Sequence, residues 1–370
     1  MPGAVSLPLV GLTHLRALAI TLVFVYHYRL FAHPGWVERV GAFGWTGVDL
    51  FFVLSGFLIS RQLFGSIVRS GTFSLREFHF KRLLRILPAY FVVLACYFWL
   101  PWIHEREALP SLWKFLTFTQ NLGLDLRTSG TFSHAWSLCI EEQFYLLLPL
   151  ALLVLLAMRA RAVWLLPLIS IFGLIARALV YVHRLAPISD ENAFGTAWYE
   201  WIYYPTWSRL DGLLVGIALA ALHEFRPQLR ARLTAHGHRL LALAVVLWVA
   251  VYGLFVEPES LTGSVLAFPA ISIVYGVLVL AALSPTCFLS RHSSHITHWL
   301  ATLSYALYLT HKACIHVTQQ QLAKAGLASD GSAMFACCIG TSLLAALALH
   351  LAVERPFLRW RDRALARRTG

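Results

Sequence analysis

Residues 12–31 read LTHLRALAITLVFVYHYRLF, a stretch long and apolar enough for a membrane helix that nevertheless holds Arg16 and His27, eleven residues apart. At about 100° per residue that separation is close to three turns, so both side chains fall on one helix face, ~16 Å apart along the axis. Ionisable groups inside a membrane helix are costly and usually face a protein interior or a wet cavity. Two readings follow. In one, Arg16 snorkels to an interface and His27 ends the span. In the other, the face lines an axis of chemistry across part of a bilayer.

Composition sets the class. Of 370 residues, 58% are hydrophobic and 13% charged, with a mean hydropathy of +0.67. Soluble domains carry about 25% charge, so an all-α polytopic membrane protein is expected. Continuous apolar runs that do not alternate argue against a β-barrel. The formal charge of +12 lies mainly between apolar spans, which points to topology and not to nucleic acid. Cys96, Cys139, Cys287, Cys314, Cys337 and Cys338 contain no C-x-x-C pair, and they read as small core residues. No metal is expected, because no residue set has ligand spacing such as H-x-x-x-H. The first apolar segment is too long for a cleavable signal and has no small-residue cleavage site after it.

About ten spans are expected, near 12–31, 45–64, 84–103, 136–157, 163–182, 205–223, 238–256, 265–283, 298–318 and 333–353. Basic residues gather in the even-numbered loops (Arg69, Arg76, Lys81, Arg82; Arg159, Arg161; Arg226, Arg230, Arg232, Arg239) and in the tail of about 354–370 (Arg355, Arg359, Arg361, Arg363, Arg367, Arg368). The positive-inside rule then places both termini in the cytoplasm. The whole chain, 1–370, reads as a single transmembrane domain. The stretch SLWKFLTFTQNL in the third loop suggests a short interfacial helix. FSLREFHFKRLLRILPAY suggests an amphipathic surface helix that leads into the third span.

With that orientation, His27, Asp49, His134, Glu141, Glu142, Arg209, Asp211 and His311 fall at similar depth in the outer half of the membrane. Agreement in depth among separate spans suggests a shared polar chamber. On the inner side, Arg82 and Arg85 share a helix face. Together with Lys81 and Arg16 they suit an anion carrying several phosphates, because a guanidinium binds phosphate oxygens in a bidentate fork. The plainer reading of the basic cluster is topology, or contact with anionic lipid. Taken together, the two clusters fit a molecule with a phosphate-rich head inside and a thin arm reaching outward, the shape of a coenzyme A thioester. A histidine at the end of the arm suits a general base.

The order of motifs resembles the membrane-bound acyltransferase 3 family. The motifs are LTHLRALAITLVFVYH (R-x10-H), GVDLFFVLSGFLIS, KRLLRILPAY (R-x-x-R-x-x-P), HAWSLCIEEQFYLLLPL (W-S-L-x-x-E-E-Q-F-Y), SRLDGLLVGIALA, LSYALYLTH and VERPF. The resemblance implies a ten-helix O-acyltransferase domain of the stand-alone bacterial type, which uses cytoplasmic acetyl-CoA or another short acyl-CoA. It implies His27 as catalytic base, with Glu141 and Glu142 as acid/base or orienting groups. Arg16, Arg82 and Arg85, with Lys81 where the family often has arginine, would hold the acyl donor.

Asp49, Trp136, Arg209 and His311 are assigned to acceptor contacts. Asp49 and His311 read equally well as structural groups. Arg209 and Asp211 do not face each other on a regular helix and should pair with other spans, with Glu141, Glu142 or Asp49 as partners for Arg209. Tyr145 and Tyr305 read as packing, and Ser55 and Gly56 as room for close helix approach or for the donor's arm. The expected reaction is transfer to a hydroxyl of a surface glycan or lipid-linked saccharide at the inner membrane, among membrane lipids and without nucleic acid. Rival readings are acylation of a small metabolite such as a macrolide, a proton-coupled transporter using Arg16, His27, Asp49 and Glu142, and a non-catalytic partner in glycan assembly.

Overall fold

A computed structural model describes residues 10–158 and 164–369. Arg159 and Arg161 of the fourth loop lie outside the described residues, as does the side chain of Arg368. Ten principal helices follow the expected order: α1 (Val10–Tyr28), α2 (Gly47–Ser70), α3 (Leu75–Trp99), α4 (Trp136–Ala157), α5 (Leu165–Val180), α6 (Asp211–Phe225), α7 (Gly237–Leu254), α8 (Phe268–Leu283), α9 (His295–Lys324) and α10 (Ser332–Leu349). The basic tail forms a further helix, α11 (Arg355–Thr369), joined to α10 by a π-helical turn at His350–Glu354. No strand occurs among the described residues. The chain is an all-α, multi-pass membrane protein.

Eight helical stretches are long and apolar enough to cross a membrane. The two exceptions are α6 and α9. Helix α6 has 15 residues and would span only about 22 Å of a hydrocarbon core of about 30 Å. It starts at Asp211 because Pro205 and a 3-10 turn at Thr206–Ser208 occupy the first part of the expected span. Helix α9, with 30 residues, is long enough, but His298, His311, Lys312, His316 and three consecutive glutamines dilute its apolar character.

The third span also differs from expectation. The surface helix and the span are one continuous helix, α3. It starts at Ser74, whose side chain accepts the Glu77 backbone N–H, the S-x-x-E start signal. Pro88 lies within it. In the third loop Leu112–Leu116 is α-helical and Ser133–Ala135 forms a 3-10 turn. Trp113 is exposed, but Phe115 is fully buried against Phe98 and Phe132, so the segment plugs into the core and does not simply lie on an interface.

Helix α1 is central, packed against α2, α8 and α9, and α2 packs most closely on α6. That closeness needs glycine on both partners. A Cβ on Gly56 would stand 2.4 Å from the Leu213 carbonyl oxygen, and one on Gly216 would stand 2.5 Å from the backbone of Val53 and Phe57. Small residues are how membrane helices approach without a hydrophobic driving force between them.

Two buried ion pairs fix the segment before α6. Arg209 donates to Asp49 at 2.9 Å. Its guanidinium lies over the rings of Phe268 (4.0 Å), Tyr203 (4.6 Å) and Trp136 (5.4 Å). Asp211 turns the other way to Arg177 of α5, at 2.7 Å, and Arg177 also donates to the Ser208 carbonyl. Asp49, Trp136 and Arg209, assigned from sequence to acceptor contacts, are joined here to one another as a buried ion pair beside an aromatic ring. Asp49→Ala should lower stability by about 3–5 kcal/mol, because it strands a buried guanidinium. Asp49→Ala combined with Arg209→Met should recover part of that loss, measured as the unfolding midpoint in detergent. A single mutant as stable as the parent would contradict the role given to the pair.

Candidate functional site

The site is built along the Arg16–His27 face of α1. At the Arg16 end, a cavity of about 580 Å³ opens between α1, the end of α2, the start of α3 and α11. Arg16, Arg69, Lys81, Arg82, Arg85 and Arg361 line it, together with Glu77, Asp362 and polar and apolar side chains. Lys81 is already engaged by Glu77 at 2.5 Å, one turn back. Arg82 donates to the Gln62 side-chain oxygen at 2.7 Å and lies over the Tyr145 ring. Among the described residues, Arg16, Arg82 and Arg85 form no ion pair with a carboxylate. The two carboxylates in the same cavity are taken, Glu77 by Lys81 and Asp362 by Arg361, so three guanidiniums without an ion-pair partner make a site for an anion.

A narrower cavity of about 110 Å³ continues inward and shares Arg16, Leu58, Arg82 and Arg85 with the first. Its walls carry Ser55, Glu141, Tyr145, Ser304, Tyr305 and Tyr308. Glu141 accepts from the Ser55 hydroxyl at 3.1 Å and from the Tyr145 hydroxyl at 2.8 Å. Tyr145 therefore orients Glu141, and Ser55 faces the passage while Gly56 faces α6. Tyr305 also lines the passage and donates to the Ile86 carbonyl at 2.9 Å. Glu142, one residue further round α4, lines neither cavity.

The passage stops short of His27. Its far end is closed by the Ser137 and Tyr308 hydroxyls, 2.6 Å apart, and Tyr308 also donates to the His134 carbonyl. Behind this phenol lie three imidazoles. His27 and His311 are joined by a 2.8 Å bond from Nδ1 to Nε2. The ring of His134 stands 5.8 Å from that of His27 and 5.0 Å from that of His311. The described residues contain no group of three or more His, Cys, Asp or Glu side chains placed to hold a metal ion.

The hydrogen bonds fix the tautomers. His311 Nδ1 lies 3.0 and 2.9 Å from the Leu307 and Tyr308 carbonyls. Carbonyls only accept, so Nδ1 carries the hydrogen, and neutral His311 presents Nε2 as an acceptor. His27 must then donate from its own Nδ1, which leaves its Nε2 bare and able to take a proton. The expectation that Glu141 or Glu142 holds the His27 tautomer is corrected: His311 does, and Glu141 belongs to the passage.

Sequence reading did not single out Glu105 or Lys312. Glu105, in the loop after α3, accepts from Lys312 at 3.1 Å and from the Phe132 backbone N–H at 3.1 Å, and it stands 4.0 Å from His134 Nδ1. Phe132 adopts the left-handed conformation (φ 56°), an unfavourable state for a bulky residue that packing must impose. Here its ring stacks on Tyr97 at 4.4 Å, and the arrangement delivers His134 into the core. A lysine directly after His311 in a membrane-length helix was the available cue, since so isolated a charge requires a buried partner.

A family model described as an acyltransferase domain matches residues 9–351, and the chain belongs to this acyltransferase family. Over 97% of its length it is 27% identical to 56% of YrhL of Bacillus subtilis, provisionally named a peptidoglycan O-acetyltransferase. Over 82% of its length it is 30% identical to 49% of the peptidoglycan O-acetyltransferase OatA of Listeria monocytogenes. Over 57% it is 32% identical to 34% of the O-acetyltransferase OatA of Staphylococcus aureus. The chain spans about half the length, or less, of these curated relatives. No solved structure gives a significant match.

The unpaired guanidiniums lead to a measurable expectation. Charge-assisted bonds contribute about 1.5–3 kcal/mol each, so Arg82→Ala or Arg85→Ala should weaken binding of inorganic triphosphate at least about ten-fold in calorimetry. Lys81→Ala should cost less, because Glu77 already occupies its ammonium. Unchanged affinity in the arginine variants would detach the cluster from anion binding.

Proposed function

We propose that this acyltransferase is an inner-membrane O-acetyltransferase, moving acetyl or another short acyl group from coenzyme A to a hydroxyl of a surface glycan or lipid-linked saccharide. The observation that carries the reading is the polar passage along one face of α1. It begins at three unpaired guanidiniums and ends one phenol away from an imidazole with a bare Nε2. Relatives named for peptidoglycan O-acetylation support the acceptor class. The positive-inside distribution supports cytoplasmic termini and a basic cavity on the cytoplasmic side, where acyl-CoA is made.

In this reading Arg16, Arg82 and Arg85 hold the phosphates of the donor. Its thin arm runs past Ser55 and Glu141 and displaces the Tyr308 phenol from Ser137. His27 Nε2 takes the proton from the acceptor hydroxyl as the oxygen attacks the thioester carbonyl carbon. His311 accepts the Nδ1 hydrogen bond and stabilises the imidazolium that forms. The C–O bond forms and the C–S bond breaks. The proton on His27 then passes to the departing thiolate, which leaves as the free thiol.

The transporter reading fits the geometry poorly. Asp49, one member of its relay, is locked to Arg209, and Glu142 lies off the passage. Acylation of a small metabolite would use the same chemistry and differs only in the acceptor.

The test is transfer of labelled acetyl groups from acetyl-CoA to glycan by the full chain reconstituted in vesicles. His27→Ala should lower the rate by about 10²–10⁴-fold, the usual contribution of a general base, with an unchanged unfolding midpoint. His311→Gln, whose carbonyl oxygen still accepts from Nδ1, should keep more activity than His311→Phe. Full activity in His27→Ala would refute the mechanism.

A further inference from the structure

The end of the bundle opposite the basic cavity holds a second opening, of about 890 Å³. It lies between the loop after α3, the loop leading to α4, the short helix Glu191–Trp198 and the turn before α8. Arg106, Arg127, Glu191, Tyr199 and Glu259 line it, and Glu105 lies in its inner wall. Its charges are mixed, two guanidiniums among several carboxylates, so neither a polyanion nor a polycation matches it. The Glu259 carboxyl is raised above its ordinary range by burial and by Glu191, which shows the two carboxylates sharing one space.

Two walls of this opening lead to the imidazole cluster by separate routes. The Tyr199 hydroxyl meets the Tyr26 hydroxyl at 3.0 Å, and the Tyr26 ring lies 5.5 Å from that of His27. Glu105 reaches Lys312 and the side of His134. The side chain of Glu105 is 1% exposed, yet its Oε2 completes no hydrogen bond, although the buried Tyr97 hydroxyl, also without one, lies beside this carboxylate. Neither ring nitrogen of buried His134 makes a bond either; the Leu309 carbonyl and Glu105 lie beside it without completing one. Buried polar atoms left unpaired at a site mark a missing polar group.

We propose that this opening is the acceptor site. It takes a neutral, polyhydroxylated saccharide whose hydroxyls donate to the carboxylates of Glu191 and Glu259, while one further hydroxyl enters between Glu105 and His134 and comes to face His27. Carboxylates only accept hydrogen bonds and guanidiniums only donate them, so together they match groups that do both. The inference rests on the acyl-transfer reading for the identity of its ligand, and its test is a binding measurement that needs no turnover.

The experiment is hydrogen–deuterium exchange on the full chain in detergent, with the neutral saccharides chitotetraose and chitobiose as probes. It is run beside the transfer assay with the same saccharides. The site predicts protection of residues 104–107 and 191–199, with the Kd raised at least ten-fold in the double variant Glu191→Gln, Glu259→Gln. Both positions reach the solvent-open rim, so loss of fold is not expected, and the unfolding midpoint checks it. Glu105→Gln should raise the saccharide KM without moving the acyl-CoA KM, a split that a purely structural Glu105 would not give. Transfer to a saccharide that protects neither segment overturns the site and leaves the reaction standing. Protection at these segments without any transfer keeps the site and removes the reaction. No protection by either probe, with no transfer, overturns both.

Discussion

A charge buried among membrane helices must find a partner or line a wet space, because neither lipid nor packed apolar side chains solvate it. This constraint sorts the buried ionisable groups of the bundle into two sets. In the first, every charge is matched. Arg209 meets Asp49, and Arg177 meets Asp211. These pairs tie α2, α5 and α6 together around the ring of Phe268, and Gly56 and Gly216 let the backbones come close enough for the pairs to close. In the second set the charges are not matched by protein. The guanidiniums of Arg16, Arg82 and Arg85 face a cavity, Glu141 is held by hydroxyls alone, and His27 is held by another imidazole. The first set holds the frame, and the second marks the route through it.

That route is polar from end to end but not open from end to end. The Tyr308 phenol, bonded to Ser137 and to the His134 carbonyl, stands between the passage and the three imidazoles. One aromatic side chain therefore separates the basic compartment from the imidazole cluster. In the proposed reaction such a barrier would keep water from the thioester and prevent a proton leak. On the far side, Glu105 of the loop pairs with Lys312 of α9 beside His134, so the imidazole cluster borders a loop that also walls the opposite cavity.

Much of this was legible in the sequence because it is local. Continuous apolar runs announce helices, and the R-x10-H spacing places two side chains on one face whatever α1 packs against. Arg82 and Arg85 are three residues apart, and that spacing survives any tertiary arrangement. What the sequence hid is long-range or depends on where a helix begins. For Arg209 the sequence offered three carboxylate partners, and only the fold selects Asp49, 160 positions away, over Glu141 and Glu142. Glu141 looked like a partner for His27 because depth along a span says nothing about rotation around the bundle. Helix α6 was read too long because the expected span took in Pro205 and the 3-10 turn at Thr206–Ser208 that precede the helix. Glu105 lay unnoticed because it sits in a loop with Arg106 and Glu107, where a carboxylate is ordinarily solvated, and only Lys312 of α9 draws it inward.

The account stands most directly on one structure: the full chain in a lipid nanodisc with a non-hydrolysable thioether analogue of acetyl-CoA, solved by electron cryomicroscopy. It predicts the nucleotide head among Arg16, Arg82 and Arg85, the arm alongside Ser55 and Glu141, Tyr308 swung away from Ser137, and the analogue's carbonyl beside His27. Density for the nucleotide outside that cavity, or an arm stopped at an intact Ser137–Tyr308 bond with no approach to His27, would contradict it.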